Sequence, residues 1–74
     1  MTLSEVLKKY DNKDFTAIEY RHIISIDSDD VDVLYGFAIY KNKMLMSADG
    51  DDYHLSDTIL KHELYKDDWL VVWV

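Results

Sequence analysis

Apolar residues recur with two different periods along this 74-residue chain, and polar clusters separate the runs. Leu3, Val6, Leu7 and Tyr10 stand at i, i+3, i+4 and i+7, the spacing of one helix face. Thr2-Leu3-Ser4-Glu5 has the form of a capping box: the Thr2 hydroxyl accepts from the Glu5 amide, and the Glu5 carboxylate accepts from the Thr2 amide. Lys8 and Lys9 lie at the far end, where cations suit the helix dipole. Asp11-Asn12-Lys13-Asp14 then ends the helix with residues that prefer turns. A helix this short is unstable alone, so it must pack on the rest of the chain.

From Phe15 to Ile26 the period changes. Thr16, Ile18, Tyr20, His22, Ile24 and Ile26 alternate with a set that includes Glu19, Arg21 and Ser25. With its Ile, Tyr, Phe and Thr content the run reads as a strand, a helix starting near Asp14 being the alternative. Val33 to Tyr40 is apolar on both faces, as a central strand is. Within it, Gly36 and Ala38 are small enough for the N-terminal helix to approach closely. Lys41-Asn42-Lys43 reads as a hairpin tip with Asn42 left-handed, and Met44 to Ser47 returns. After a turn at Ala48–Asp52, Tyr53-His54-Leu55 reads as a short strand.

Ile59 to Tyr65, a turn at Asp67-Asp68 and Trp69 to Val74 form a terminal hairpin. That turn pairs Lys66 with Trp69, Leu64 with Val71 and His62 with Trp73. Leu70, Val72 and Val74 then point to the second face. The expected fold is α+β, one domain over residues 1–74: a short N-terminal helix packed on a twisted antiparallel sheet of four to five strands. One short helix cannot cover both faces of so apolar a sheet. Exposed apolar surface is expected at Leu70, Val72 and Val74, where a partner or a second copy would bind.

Composition adds the charge. Hydrophobic residues make up 49% of the chain and aromatics 14%, enough for a core and more than a disordered segment carries. There is no Cys, so neither a disulfide nor a thiolate metal site supports the fold. No apolar run reaches the roughly 20 residues of a membrane span. The first residues lack a basic leader followed by an apolar block, so no signal peptide is expected. The formal net charge is −7. Residues 27–57 hold eight acids against Lys41 and Lys43 and account for most of it. Such a surface repels the phosphates of nucleic acid and of anionic membranes, and suits a basic protein.

Seven of these acids lie in two stretches: Asp27, Asp29, Asp30 and Asp32, then Asp49, Asp51 and Asp52. In an antiparallel meander, reversals at 27–32, 41–43 and 48–52 alternate ends. Both acidic stretches are thus expected at one end, opposite Lys41 and Lys43. Two readings of them stand. Aspartate is common in turns, and solvated charge keeps a small apolar domain soluble. Alternatively the carboxylates form a binding surface for a basic cleft, standing in for phosphates and blocking a nucleic-acid channel; a cationic partner relieves their mutual repulsion.

Other chemistry is thinner. Asp27-x-Asp29 and Asp49-x-Asp51 begin like calcium-binding EF-hand loops. Position five is Val31 or Tyr53, position six lacks Gly, and position twelve is Ala38 or Leu60. His22, His54 and His62 share an even phase, so in-register strands could bring them together with Asp57 as a zinc site; otherwise they are separate, hydrogen-bonded histidines. Apart from that zinc arrangement no cofactor is expected. There is no nucleophile elbow, phosphate-binding Gly loop or paired-carboxylate signature, so no enzyme activity is expected.

Met1-Thr2-Leu3-Ser4-Glu5-Val6-Leu7, Tyr53-His54-Leu55-Ser56-Asp57 and the hairpin from Leu64 to Val72 together resemble small acidic proteins encoded by phages and mobile elements of low-GC Gram-positive bacteria. Some of that group are anti-CRISPR or anti-restriction inhibitors that cover the DNA-binding surface of a host nuclease. The resemblance implies a non-enzymatic inhibitor acting in the cytoplasm of an infected or lysogenic host, with no catalytic residues to carry over.

Overall fold

The structure, a computed structural model, describes residues 1–26 and 31–74. Helix α1 spans Leu3–Lys9, and strands β1 Phe15–Ile26, β2 Val31–Lys41, β3 Met44–Ser47, β4 Lys61–Lys66 and β5 Trp69–Trp73 follow it. Both halves of the capping box form: the Glu5 amide donates to Thr2 Oγ1 at 3.3 Å and the Thr2 amide to Glu5 Oε1 at 3.0 Å. Leu3, Val6 and Leu7 are fully buried. Asp11 and Asn12 take left-handed backbone angles, and the Asn12 amide donates back to the Leu7 carbonyl, closing the helix. Phe15–Ile26 is a strand, as its alternation predicts.

The five strands lie in the order β3-β2-β1-β5-β4. This corrects the all-antiparallel meander, because β1 pairs with β5 in parallel: Ile18 with Leu70, Tyr20 with Val72. The reason lies in the faces of β5. Leu70 and Val72 point one way and Val71 the other, and all three are buried, so β5 needs neighbours on both sides. Strand β4, with Lys61, Glu63, Tyr65 and Lys66 exposed, tolerates the sheet edge. The result is an α+β fold of one short helix on a mixed five-stranded sheet.

Residues 48–60 cross the helix-covered face to reach the far edge. Tyr53-His54-Leu55 is therefore not a strand. Its backbone serves the helix instead: the Ser4 amide donates to the Leu55 carbonyl and the Leu3 amide to the Asp57 carbonyl, both at 2.9 Å. Two of the free amides of the first helical turn are satisfied this way. The Ile59 amide donates to the Met1 carbonyl, and Thr2 bridges to Thr58.

The terminal hairpin is also corrected. A bulge between Leu64 and Lys66 shifts the register, so Leu64 pairs with Leu70, Glu63 with Val71 and His62 with Val72. Leu70 and Val72 consequently join Leu3, Leu7, Phe15, Ile18, Tyr40 and Ile59 in the core under α1. The sheet does keep one uncovered face, but it is the one bearing Trp69, Val71 and Trp73. A second irregularity, between Phe15 and Ile18, lets an odd and an even residue of β1 enter the same core. At the β2–β3 turn both Asn42 and Lys43 have positive φ, the geometry of a tight two-residue hairpin turn.

Candidate functional site

Ser47, Asp49 and Gly50 make the tight loop that follows β3. Asp49 Oδ1 accepts the Ser47 hydroxyl at 3.1 Å and the Asp51 amide at 3.0 Å. Gly50 sits at φ 87°, where a side chain would be strained, and its amide donates to Ser47 Oγ. Asp49 Oδ2 accepts the Phe37 amide at 2.8 Å and the Tyr53 hydroxyl. These donors, the Tyr53 hydroxyl first and the Phe37 and Asp51 amides next, bring the Asp49 carboxyl down to about 2. Burial, with Asp49 adding, pushes the Tyr53 hydroxyl well above the ordinary tyrosine range.

Gly36 makes this contact possible. A Cβ there would lie 2.0 Å from the Tyr53 hydroxyl and 3.2 Å from Asp49 Oδ2. The small residue thus admits Tyr53, not the helix; Ala38 is the one that packs within the helix-covered core. The Tyr53 ring stacks on Tyr20 with centroids 4.3 Å apart and planes at 26°. Tyr20 pairs with Gly36 on one side and Val72 on the other. It is only 5% exposed, and its hydroxyl has no hydrogen-bond partner among the described residues. Burial, then the charge of Asp57, raises that hydroxyl far above the ordinary range.

Beside this stack lies an open groove of about 370 Å³. Tyr20, His22, Leu34, Tyr35 and Gly36 contribute from the sheet, and Asp51, Tyr53, Asp57, Thr58 and Val74 from the crossing segment and the end of the chain. Asp57 uses Oδ2 to accept the His54 amide at 2.8 Å, which fixes the turn that forms its wall.

The residues singled out from the sequence fall in different places. Asp27, Asp29 and Asp30 lie outside the described residues. Asp32 is exposed and pairs with Ser25, while Asp49 is anchored at Phe37, roughly 17 Å further along β2 at the usual strand rise. Asp49 therefore sits at mid-sheet and not beside Asp32, because β3 is only four residues long. Asp51 and Asp52 are exposed. His22 reaches the groove, His54 is exposed on the turn, and His62 Nδ1 lies 3.0 Å from the Tyr10 hydroxyl. Strand β5 separates His62 from β1, and no three His, Asp or Glu side chains among the described residues are placed to hold a metal ion. The pairing of Asp49 and Tyr53 across Gly36 escaped the sequence reading. The signal was a glycine inside a strand of bulky residues, which marks a close approach to the backbone.

The uncovered sheet face is different in character. Glu19, 8% exposed, is ion-paired to Arg21, whose guanidinium lies 5.2 Å from the Trp73 ring and 5.8 Å from Tyr35. Trp69 packs edge-on to Phe37 and Tyr65. No described helix is long and apolar enough to cross a membrane. Comparisons with known protein families, curated proteins and solved structures find no match to this chain.

Proposed function

We propose that this protein is a non-enzymatic inhibitor of the anti-CRISPR kind, which binds a basic nucleic-acid-binding groove of a host nuclease in the bacterial cytoplasm. The observation that carries the reading is a set of exposed carboxylates without basic partners. Asp32, Asp49, Asp51 and Asp52 are exposed, and among the described residues the ion pair is the one between Arg21 and Glu19. Charge left unneutralised in this way favours a cationic partner and speeds its encounter. A nuclease channel that holds nucleic acid by its phosphates has the matching sign. The test is nuclease inhibition and co-precipitation with wild type and with Asp32, Asp49, Asp51 and Asp52 changed to Asn. Inhibition is expected to fall at least tenfold and capture to weaken with salt; undiminished inhibition sinks the electrostatic mechanism.

A second reading rests on a separate observation, the uncovered face of the sheet. Tyr35, Met46 and Tyr65 are exposed there, and Trp69 carries a buried indole N–H with no partner among the described residues. Apolar surface of this kind marks association, and the occupant we propose is a second copy of the chain.

A further inference from the structure

We infer that the outer edge of β2 from Val33 to Tyr35 is a docking strand, to which an extended basic segment of the partner adds by backbone pairing. This rests on the inhibitor reading and gives it a point of contact. Strand β2 is 11 residues long, but β3 pairs with it only from Ala38 to Lys41. The loop after β3 holds one residue more: the Phe37 carbonyl accepts the Ala48 amide, and the Phe37 amide donates to Asp49 Oδ2. Phe37 therefore turns its backbone groups outward, away from β1. By the alternation of an antiparallel ladder, Tyr35 and Val33 do the same. Neither has a backbone partner on that side among the described residues.

Open strand edges are normally blunted against pairing with another chain. Strand β3 is blunt because it is 4 residues long, and β4 because it carries Lys61, Glu63, Lys66 and a bulge. Val33-Leu34-Tyr35 has none of these devices. It pairs regularly with Ile23, His22 and Arg21, and Leu34 and Tyr35 are 57% and 59% exposed. A strand added here satisfies the outward amides and carbonyls and covers both side chains. Charge selects the occupant. Side chains alternate along β2, so Asp32 and Leu34 share the face on which Asp51 lines the groove, and Val33 and Tyr35 share the other. No Lys or Arg lies between Val31 and Tyr40. A second copy would set these carboxylates against their like, whereas a strand with basic residues on the first face and apolar ones on the second complements both.

The test uses the whole isolated protein and the acetylated, amidated peptide Lys-Val-Lys-Val-Lys as probe, followed by amide shifts and hydrogen exchange in nuclear magnetic resonance. Its five residues extend about 17 Å, the reach of β2 from Asp32 to Phe37. Saturable shifts centred on residues 33–35 are expected, with Kd in the millimolar range. At saturation the Val33 and Tyr35 amides are expected to exchange at least threefold more slowly. The peptide Glu-Val-Glu-Val-Glu is expected to bind at least tenfold more weakly, and Asp32→Asn with Asp51→Asn to weaken the Lys probe at least threefold. Pairing through the backbone has its own signature: methylating one alternate set of probe amides abolishes binding, and methylating the other set spares it. Tyr35→Pro removes an outward amide, leaves the ladder to β1 and is expected to abolish protection at Val33; if that variant does not fold, the methylated probes on the wild type decide. Absence of saturable shifts, equal binding of the Glu peptide, tolerance of both methylated sets, or shifts centred elsewhere overturns the assignment. So does protection of Val33 and Tyr35 that rises with protein concentration alone, which puts a second copy on the edge. If the probe fails while salt-sensitive capture of the nuclease persists, the docking strand falls and the inhibitor reading stands. If the probe binds and capture fails, the reverse holds.

Discussion

A methyl group added at Gly36 meets the Tyr53 hydroxyl inside contact distance, and the atoms that must yield are the ones that hold the 49–53 loop to β2. Gly36→Ala is therefore expected to destabilise the fold by about 1–3 kcal/mol, the usual cost of overpacking. Urea unfolding measures it. Tyr53→Phe removes the obstructing oxygen, so the double variant is expected to lose less than the sum of the two singles. Strict additivity would place the cost of Gly36→Ala elsewhere. Asp49 gives the same contact a pH signature. Its carboxyl is depressed in the folded state, from an ordinary value near 4 to about 2. The stability it contributes is therefore fully present above about 4 and is lost as pH falls through about 2. Asp49→Asn is expected to flatten the acid limb of stability between those values and to leave its shape near neutral pH unchanged. An unaltered acid limb counts against the hydrogen-bond assignment.

Elements whose evidence is local were legible in the sequence, and elements defined by their neighbours were not. The helix could be read because its cap, its face and its terminating residues lie within fourteen positions. β1 followed from alternation, β2 from a run apolar on both faces, and the Asn42 turn from turn chemistry. The position of β5 could not be read, since a strand buried on both faces has the same pattern beside a parallel or an antiparallel neighbour. The bulge at Tyr65 was equally invisible, and one extra residue there exchanged the two faces of β4 relative to β5. Of the site, the charge was legible and the location was not, because Asp49 is placed by Gly36, Ser47 and Tyr53 together. The register has a direct test. Leu70 is fully buried under α1, so Leu70→Ala is expected to cost about 2–5 kcal/mol. Leu64→Ala, at an exposed position on the edge strand, is expected to cost less than half as much. The register read from the sequence predicts the opposite order, with Leu70 turned outward, so chemical denaturation of the two variants separates the alternatives.

On the scale of the whole molecule, a net charge of −7 and an uncovered aromatic face act against each other. Tyr35, Met46 and Tyr65 offer apolar area to a second copy, while the like charge of the two copies opposes their approach. The range of that repulsion is set by salt, about 8 Å at physiological ionic strength and about 3 Å at 1 M. Association through the apolar face should therefore strengthen as salt is added, whereas binding to a basic nuclease should weaken. Sedimentation across a salt series reads the first directly. The weight-average mass is expected to rise toward that of a dimer at high salt, and Tyr35→Asp, at a position 59% exposed, is expected to return it to that of a monomer. Asp51→Asn, which lies on the covered side, is expected to leave the high-salt mass unchanged. A mass equal to the monomer's at every salt concentration eliminates self-association and leaves the open face to a different partner. A mass that falls with salt points to ionic association, and then the carboxylates rather than Trp69 and its neighbours hold the copies together.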